Sequence, residues 1–313
     1  MKKAMLYTLV ATLFVFSCKK DHSKDSNGTN PAGKIYKVEL NVSGFTQTIT
    51  NSTSKKVQGK GLKTDAVTGI SGYLDQLYYY VFHSDGTFKL VHTLVQDSTS
   101  SNFGNISDSL SAGAYTIIIA AGKPGLTSSL SVRSPGTSYL TGTNYIFYKG
   151  GPFAQWKDTF YGQINITVTG DVNQDINLNR IVGQLEVDIT DAIPATANSI
   201  SITVDLDDLN FLLNSQTPTQ AAKPTYTTTI PASAKGKTNY TFRNLIGNTA
   251  TPFNVTIVCY DAAKKVLGTA LVTNVTCQKN KRTILTGSLF GTNNNFTVSL
   301  NDTWNATPIN IPF

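Results

Sequence analysis

The chain has 313 residues and a mass of 33.8 kDa, a length typical of about two domains that can each bury a core. Charged residues make up 14% of the chain, Thr occurs 43 times and Glu only twice. Because Thr favours strands and the straight-chain residues that cover helical surfaces are scarce, the composition excludes helical bundles and coiled coils.

The net charge of +7 is concentrated near the N-terminus. Residues 1–63 hold 11 Lys and three acidic residues, whereas residues 64–313 hold 15 basic and 16 acidic residues. Binding to nucleic acid needs a basic face on the folded domain itself, and the larger part of this chain is close to neutral. The charge distribution therefore predicts a protein that does not bind nucleic acid.

The first 18 residues resemble the export signal of a bacterial lipoprotein. Residues 1–3 are cationic, and the apolar run over residues 4–16 has the length of a secretory signal but is too short to span a bilayer. The run ends in Val15-Phe16-Ser17-Cys18, which resembles the lipobox, where a cysteine is acylated and becomes the mature N-terminus. We expect residues 1–17 to be a signal peptide and Cys18 to carry the lipid. An ordinary signal peptide with an incidental cysteine is the alternative.

Residues 18–33 predict a flexible tether between the lipid and the first domain, because they are polar, charged and without apolar periodicity. The run Cys18-Lys19-Lys20-Asp21 is similar to the start of Bacteroidetes lipoproteins, some of which use a short charged motif to reach the outer leaflet. This similarity implies a protein anchored by lipid to the outer membrane, at the cell surface. Each buried methylene of a lipid contributes about 0.8 kcal/mol to such an anchor.

From Lys34 onward the chain reads as short strands separated by turns. Ile35–Val42 alternates apolar and polar residues, as a half-buried strand does. The pair Asp85-Gly86 lies between two apolar runs and predicts a tight hairpin that sets His83 opposite Phe88 and His92 opposite Tyr79. The run Ala114–Ala121 is apolar on both faces and is predicted to be a central strand.

The strand pattern predicts an all-β fold of two tandem antiparallel β-sandwich domains of the transthyretin-like type. A polar break at Asp171–Asp175 places the boundary between an N-terminal sandwich over residues 34–172 and a C-terminal sandwich over residues 173–313. The second half is expected to open with a strand region over Ile176–Asp188 and to contain a long loop or edge excursion over Asn214–Lys237. Its later strands are predicted at Tyr240–Leu245, Phe253–Tyr260, Val266–Val272, Thr283–Leu289 and Phe296–Leu300.

No residue pattern in the sequence is typical of catalysis. His22 lies in the tether, and His83 and His92 do not meet in the predicted hairpin, so we expect no zinc site. A nucleophile elbow and a phosphate-binding loop are both missing. The acidic run Asp205–Asn210 departs from the calcium-loop pattern and is interpreted as a solvated strand end. The expectation is a protein that is not an enzyme and needs no cofactor or metal.

Cys259 and Cys277 are the two cysteines outside the lipobox. Each ends or interrupts a strand-like run in an exported chain, where a disulfide is allowed. A hairpin about Asp261–Lys265 would set Cys259 opposite Leu267 and leave Cys277 beyond it. Two free buried thiols are therefore the default interpretation, and a disulfide is the alternative.

Three motifs, in this order along the chain, resemble Bacteroidetes fimbrillins and their anchor subunits. The first domain of that family is similar to Tyr79–Gly86 together with Ala112–Ile118. The Leu-x-Arg strand that opens its second domain is similar to Ile176–Val187, and its last strand is similar to Phe296–Trp304. The resemblance covers most of residues 34–304. It implies a component of a type V-like pilus: a stalk subunit, a tip adhesin or the anchor. It also implies fimbrial partners joined by β-strand addition, in which an open sheet edge accepts a strand from a neighbour.

Two features favour an anchor or accessory subunit over a stalk subunit. In such fimbrillins a trypsin-like protease cuts after Arg, removes the first strand and opens a groove. Here Lys34–Lys63 offers only lysines, and the first Arg is Arg133. A protease that prefers Lys would restore the stalk interpretation. The tail Thr307–Phe313 carries two prolines, which makes it a poor central donor strand.

The competing interpretation is a lipid-anchored glycan-binding module of a polysaccharide-uptake system. Such a module should expose a flat group of aromatic side chains for stacking on sugar rings, although strand aromatics ordinarily fill a core. The aromatic residues considered for this role are Tyr78, Tyr79, Tyr80, Phe147, Tyr148 and Trp156.

Overall fold

The computed structural model describes residues 33–45, 73–130, 136, 138–150, 154–291 and 295–301. Within these ranges the chain forms strands and turns with one short 3-10 helix and no α-helix, which confirms the predicted all-β class. No helix in the described ranges is long and apolar enough to cross a membrane. Several predicted features lie outside the described residues. They are the signal peptide, Cys18, nearly all of the tether, most of the segment Lys34–Lys63 and the tail from Thr307.

The described part of the first half contains nine strands. They are β1 (Ile35–Phe45), β2 (Gln76–His83), β3 (Leu90–Asp97), β4 (Asn105–Ser111), β5 (Gly113–Gly122), β6 (Leu126–Ser128), β7 (Tyr145–Tyr148), β8 (Thr159–Val168) and β9 (Val172–Arg180).

The described part of the second half contains ten strands, with the 3-10 helix at Ala232–Ala234. They are β10 (Gly183–Ile189), β11 (Ala197–Val204), β12 (Asp207–Leu212), β13 (Pro218–Ala222), β14 (Thr225–Thr229), β15 (Tyr240–Ile246), β16 (Phe253–Asp261), β17 (Val266–Val275), β18 (Arg282–Gly287) and β19 (Phe296–Asn301).

The first half folds as a sandwich of two sheets. One sheet has the order β3-β2-β5-β8 and the other β9-β1-β4, and a short pairing of β8 with β9 joins them at a corner. The alternation of β1 sends Val38, Leu40 and Val42 into the core, where they meet Ile117 and Ile119 of β5. Each such aliphatic side chain contributes about 1.5–3 kcal/mol relative to an exposed one. Strand β5 is central and buried on both faces, as predicted.

The second half repeats the topology of the first, although the sequence contains no exact internal repeat. In each half the first strand lies between an antiparallel and a parallel neighbour: β1 between β4 and β9, and β10 between β15 and β18. The opposing sheet has the order β3-β2-β5-β8 in the first half and β14-β11-β16-β17 in the second. Strand β19, appended beside β18, has no counterpart in the sheet around β1.

A third sheet, of order β13-β12-β7-β6, crosses from one half to the other. Strand β7 of the first half pairs with β12 of the second, with Ile146 opposite Phe211. One face of this sheet packs Ile146, Tyr148 and Phe211 against the outer face of the first sandwich, including Tyr80 and Ile118. The two halves therefore share a hydrophobic core in addition to the core that each encloses.

Trp156 fills the angle between the two halves. Its indole N–H donates a hydrogen bond to the Asp208 carbonyl at 2.5 Å, and its ring meets Tyr148 edge-on at 5.9 Å between centroids. Gly247 lies against the same contact, where a Cβ atom would overlap both the Asp208 carbonyl and the indole nitrogen. Only glycine allows the backbone of the second half to approach Trp156 this closely.

Arg180, the arginine of the predicted Leu-x-Arg motif, clamps the junction at the end of β9. Its guanidinium makes a bidentate bond to Asp158, at 2.5 Å and 2.9 Å, and a third bond to the Asn280 side chain at 2.7 Å. It also lies over the Phe160 ring at 4.9 Å. Because Asn280 belongs to the turn before β18 and its backbone N–H bonds to the carbonyl of Val182, the clamp ties both halves together.

Strand β9 continues past the predicted domain boundary at residues 172 and 173. The region Ile176–Asp188 is not one strand of the second domain, because residues up to Arg180 form β9 and pair with β1 and β8 of the first sandwich. The chain passes between the halves at Ile181 and Val182. Across this crossing the apolar residues shift from even positions, at Ile176 and Leu178, to odd positions, at Leu185 and Val187.

Three further predictions about the strands differ from the structure in detail. The sandwiches are not purely antiparallel, because β1 with β9 and β10 with β18 run parallel. The region Asn214–Lys237, predicted as a long loop or edge excursion, contains the edge strands β13 and β14, and β14 combines hydroxyl bonds such as that between Ser201 and Thr227 with the burial of Tyr226. The β2/β3 hairpin has a longer turn than predicted, so His92 lies opposite Val81 and not Tyr79.

We predict that Arg180→Met destabilises the protein by about 3–5 kcal/mol, because it leaves the buried Asp158 carboxylate without its partner. Urea unfolding followed by circular dichroism measures the loss. The matched control is Lys37→Met, which removes the exposed ion pair with Glu39 and should cost less than about 1 kcal/mol. Equal effects of the two variants would contradict the clamp.

Candidate assembly site

Strand β1 occupies a slot between β4 and β9. It pairs antiparallel with β4 from Ile35 to Asn41 and parallel with β9 from Val38 to Phe45. Leu40 and Val38 are fully buried at the floor of this slot. Removing β1 would leave two open sheet edges flanking an apolar floor, so the slot is closed only while β1 remains attached.

The far side of the second sandwich has the longest open edge in the described part of the chain. Strand β17 ends the sheet β14-β11-β16-β17, and its ten residues include no charged residue and no proline. Soluble proteins usually guard such an edge with Lys, Pro or a bulge. Strand β17 has no Lys or Pro, although its pairing with β16 is irregular near both ends. Leu271 on its outer face is 63% exposed. This edge is suited to accept a further strand.

Strand β19 lies next to this edge and is largely uncovered. Val298 pairs with Leu285, and Leu300 with Thr283, so both share the face on which β18 buries its side chains. Even so, Val298 is 45% exposed and Leu300 is 44% exposed. A strand added beside β17 would extend that sheet over β19 and cover both. We call β17 and β19 together the open edge.

The aromatic residues considered for sugar binding are mainly core residues. Tyr78, Tyr79, Tyr80, Tyr148 and Trp156 are buried, and only Phe147 is partly exposed. The expected flat group of exposed aromatic side chains is therefore not formed by these six residues.

The two histidines of the hairpin point to different partners. His92 Nδ1 lies 2.7 Å from Asp108 Oδ1, whereas the His83 ring stacks on Tyr115 at 5.3 Å. Across the described ranges no group of three or more His, Cys, Asp or Glu side chains could hold a metal ion.

The acidic run Asp205–Asn210 is not a solvated strand end, which corrects the prediction. The Asp207 carboxylate is fully buried and accepts hydrogen bonds from the backbone N–H groups of Asn248 and Asp208 and from the Tyr226 hydroxyl, at 2.8 to 3.0 Å. Asp205 instead binds the backbone and side chain of Asn254. Burial raises the pKa of Asp207 to about 6, although its hydrogen bonds oppose this rise.

Cys259 and Cys277 are free and buried. The hairpin of β16 and β17 forms as predicted and sets Cys259 opposite Gly268, one residue from the expected Leu267. Burial raises the pKa of the Cys259 thiol to about 11 and that of Cys277 to about 12, so both remain protonated and unreactive at neutral pH.

Sequence comparison assigns the chain to a family without assigning it a function. Residues 153–310, just over half of the chain, match the family described as a family of unknown function, DUF6562. The chain belongs to this family. No curated protein matches it.

Solved structures share the fold over most of the chain. A candidate adhesin from Bacteroides ovatus is 11% identical with a TM-score of 0.52, and the match covers 85% of this chain and 93% of that one. A DUF1812 candidate polysaccharide-binding protein from Bacteroides thetaiotaomicron is 12% identical with a TM-score of 0.50, covering 81% and 92%. The fimbrial anchor protein Mfa2 from Porphyromonas gingivalis is 12% identical with a TM-score of 0.50, covering 86% and 98%.

At these identities the similarity establishes the fold alone. The fold expected from the fimbrillin-like motifs is thereby confirmed. Sequence reasoning did not identify the open edge, because strand ends and sheet order are needed to recognise it. The one available signal was the run Val266–Val275, which lacks charge and proline.

We predict that the stability of the protein depends on Asp207 between pH 4 and pH 6. An Asp whose folded pKa is raised to about 6 contributes stability that is fully present below its unfolded pKa near 3.8 and is lost as pH rises through 6. The free energy of unfolding of the wild type, minus that of Asp207→Asn, should therefore fall by about 3 kcal/mol across this window.

Urea unfolding at a series of pH values measures this difference, and the subtraction removes the titration of other groups. Tyr226→Phe is a second test variant. It removes a hydrogen bond that lowers the pKa of Asp207, so the pH range over which this stability is lost should move to higher pH. A difference that stays constant or grows with pH would contradict the assignment.

Proposed function

We propose that this protein is a lipid-anchored subunit of a surface fimbrium of the type V-like class, in the position of an anchor or accessory subunit. It joins its fimbrial neighbour by β-strand addition at the open edge. Its lipid is carried by Cys18, and its compartment is the cell-surface side of the outer membrane.

The placement of β1 is the observation that carries this proposal. Cys18 precedes β1 in the chain, and β1 supplies Val38 and Leu40 to the first core. A cut between Phe45 and Tyr73 that let β1 leave would also separate the folded body from the lipid. A subunit that must stay anchored therefore has to keep β1, and its first slot stays closed.

The sequence after β1 supports an uncut chain. Arg133 is the first arginine, so a protease that cuts after Arg finds no site between β1 and β2. Lysines are present there, at Lys55, Lys56, Lys60 and Lys63, and a protease that prefers Lys would convert the chain to a stalk subunit.

With the first slot closed, the joint to a neighbour has to be made elsewhere, and the open edge has the required properties. It offers an edge strand, β17, that pairs with no further strand of the described residues, and a partly exposed apolar surface at Val298 and Leu300. Strand addition uses both: backbone hydrogen bonds give affinity, and alternate side chains fill apolar positions to give specificity.

The experiment that tests the joint places a photo-crosslinking amino acid at position 298 in the full chain on fibre-bearing cells. The matched control places the same amino acid at Thr228, an exposed position of β14 at the opposite edge of the sheet that contains β17. We expect light-dependent crosslinks from position 298, but not from position 228, to another β-sandwich subunit. In a Cys18→Ala background the same crosslinked species should appear in the medium with shed fibres.

Crosslinks from position 228 alone, or fibres that stay attached in the Cys18→Ala background, would contradict the proposal. Crosslinks from position 298 to a transporter and its glycan-binding neighbours, with fibres unaffected, would move the protein to a polysaccharide-uptake system.

A further inference from the structure

A groove opens on the solvent side of the sheet that joins the two halves. It has a volume of about 450 Å³, within the usual range of about 300–1,000 Å³ for small-molecule sites. Tyr145 and Phe147 of β7 form one wall, and Asn210 of β12 with Gln220 of β13 forms the other. Lys149 stands at the rim. Both halves of the chain thus contribute to one site.

Two aromatic rings on this wall remain partly exposed. Along β7, Ile146 and Tyr148 point into the shared core, so the alternation turns Tyr145 and Phe147 outward. Their ring centroids are 5.6 Å apart and the rings are tilted by 56°. Aromatic faces placed beside polar groups suit ligands that have one apolar face and many hydrogen-bonding edges.

The amides opposite these rings supply such polar groups. Asn210 lies directly across from Phe147 in the strand register and donates a hydrogen bond from its side chain to Gln220 Oε1. This bond orients both amides and uses one atom of each, which leaves further donors and acceptors for a ligand. The lining includes no carboxylate, so the groove is not a cation site.

Gln220 is held in a conformation that its side chain disfavours. Its φ angle is 65°, in the left-handed region that glycine adopts more readily. Six other non-glycine residues in the described ranges also have a positive φ, so the angle fixes the local backbone and does not by itself mark a binding position. Here the strain places an amide at the groove.

From this combination we infer that the groove binds a saccharide, with a sugar ring stacked on Phe147 beside the tilted ring of Tyr145 and its hydroxyl groups bonded to Asn210 and Gln220. The C–H face of a pyranose fits the exposed aromatic surface, and its equatorial hydroxyls match amides that both donate and accept. This binding activity goes beyond the proposed assembly role and does not depend on the open edge.

The test is to screen the full chain, solubilised in detergent, on a printed array of oligosaccharides of plant, fungal, bacterial and mucosal origin. The strongest binder is then titrated by calorimetry. The wild type should bind at least one saccharide. Phe147→Ala should weaken that binding at least tenfold, and Phe147→Leu, which keeps the apolar bulk without a flat ring, should weaken it similarly. Tyr139→Ala, at an exposed aromatic residue outside the groove, should change it less than twofold.

Gln220→Gly separates ligand binding from folding. Glycine relieves the left-handed strain but removes the acceptor of the Asn210 side chain, so the two effects oppose each other and the thermal unfolding midpoint should change little, while saccharide binding should fall at least fivefold. The inference is overturned if no saccharide on the array is bound, or if binding persists unchanged in both Gln220→Gly and Phe147→Leu. Either result leaves the crosslinking test of fimbrial assembly unaffected.

Discussion

The proposed anchoring depends on the position of β1. This strand belongs to the core and also connects the folded body to the residue expected to carry the lipid. Its inward side chains, including Leu40, complete the first sandwich, and its backbone closes the sheet between β4 and β9. A strand bound on both edges and buried on one face resists removal far better than an edge strand. In the proposed lipid-anchored form, anchoring and folding are thus coupled through the same 11 residues.

The junction between the halves explains how a load applied at the open edge can reach that strand. The halves share a hydrophobic core, a sheet that crosses between them, and the clamp in which Arg180 holds Asp158 and Asn280. Trp156 packs against the backbone at Gly247. Relative motion of the two sandwiches would have to break these contacts together. A subunit that links a membrane anchor to a fibre needs this kind of stiffness.

The same junction creates the groove assigned to a saccharide. The sheet that joins the halves buries one face and leaves the other to solvent, and the outward residues of β7 and β12 therefore become available for binding. The saccharide binding inferred for this groove depends on both sandwiches, since neither half alone forms both walls of the groove.

Much of the fold could be predicted from the sequence, because alternating apolar residues and turn signals locate strands directly. Strands β15 to β19 lie within a few residues of their predicted ranges, and the central position of β5 followed from its two apolar faces. Pairing was harder to predict. The crossing at Ile181 and Val182 is marked only by a change in phase of the apolar alternation, and the hairpin register at His92 depends on a bulge and a longer turn.

The candidate sites were less accessible to sequence reasoning, for physical reasons that differ between them. The buried role of Asp207 depends on Asn248 and Tyr226, which are distant in sequence. Phe147 was recognised as a possible sugar-stacking residue, but its neighbour Tyr145 and the facing Gln220 were not, because only strand pairing brings them together. Cys18, the predicted anchor residue, shows the reverse case, in which a local motif carries the whole prediction.

The most direct test of the central claim is mass spectrometry of the protein recovered from washed, fibre-bearing cells. We predict a mature chain that begins at an acylated Cys18 and continues without a break through β1 and Lys63 into the two folded halves. A fibre-associated form that begins after Lys55, Lys56, Lys60 or Lys63 would show that β1 is released, and would contradict the assignment of this protein as an anchored subunit with a closed first slot.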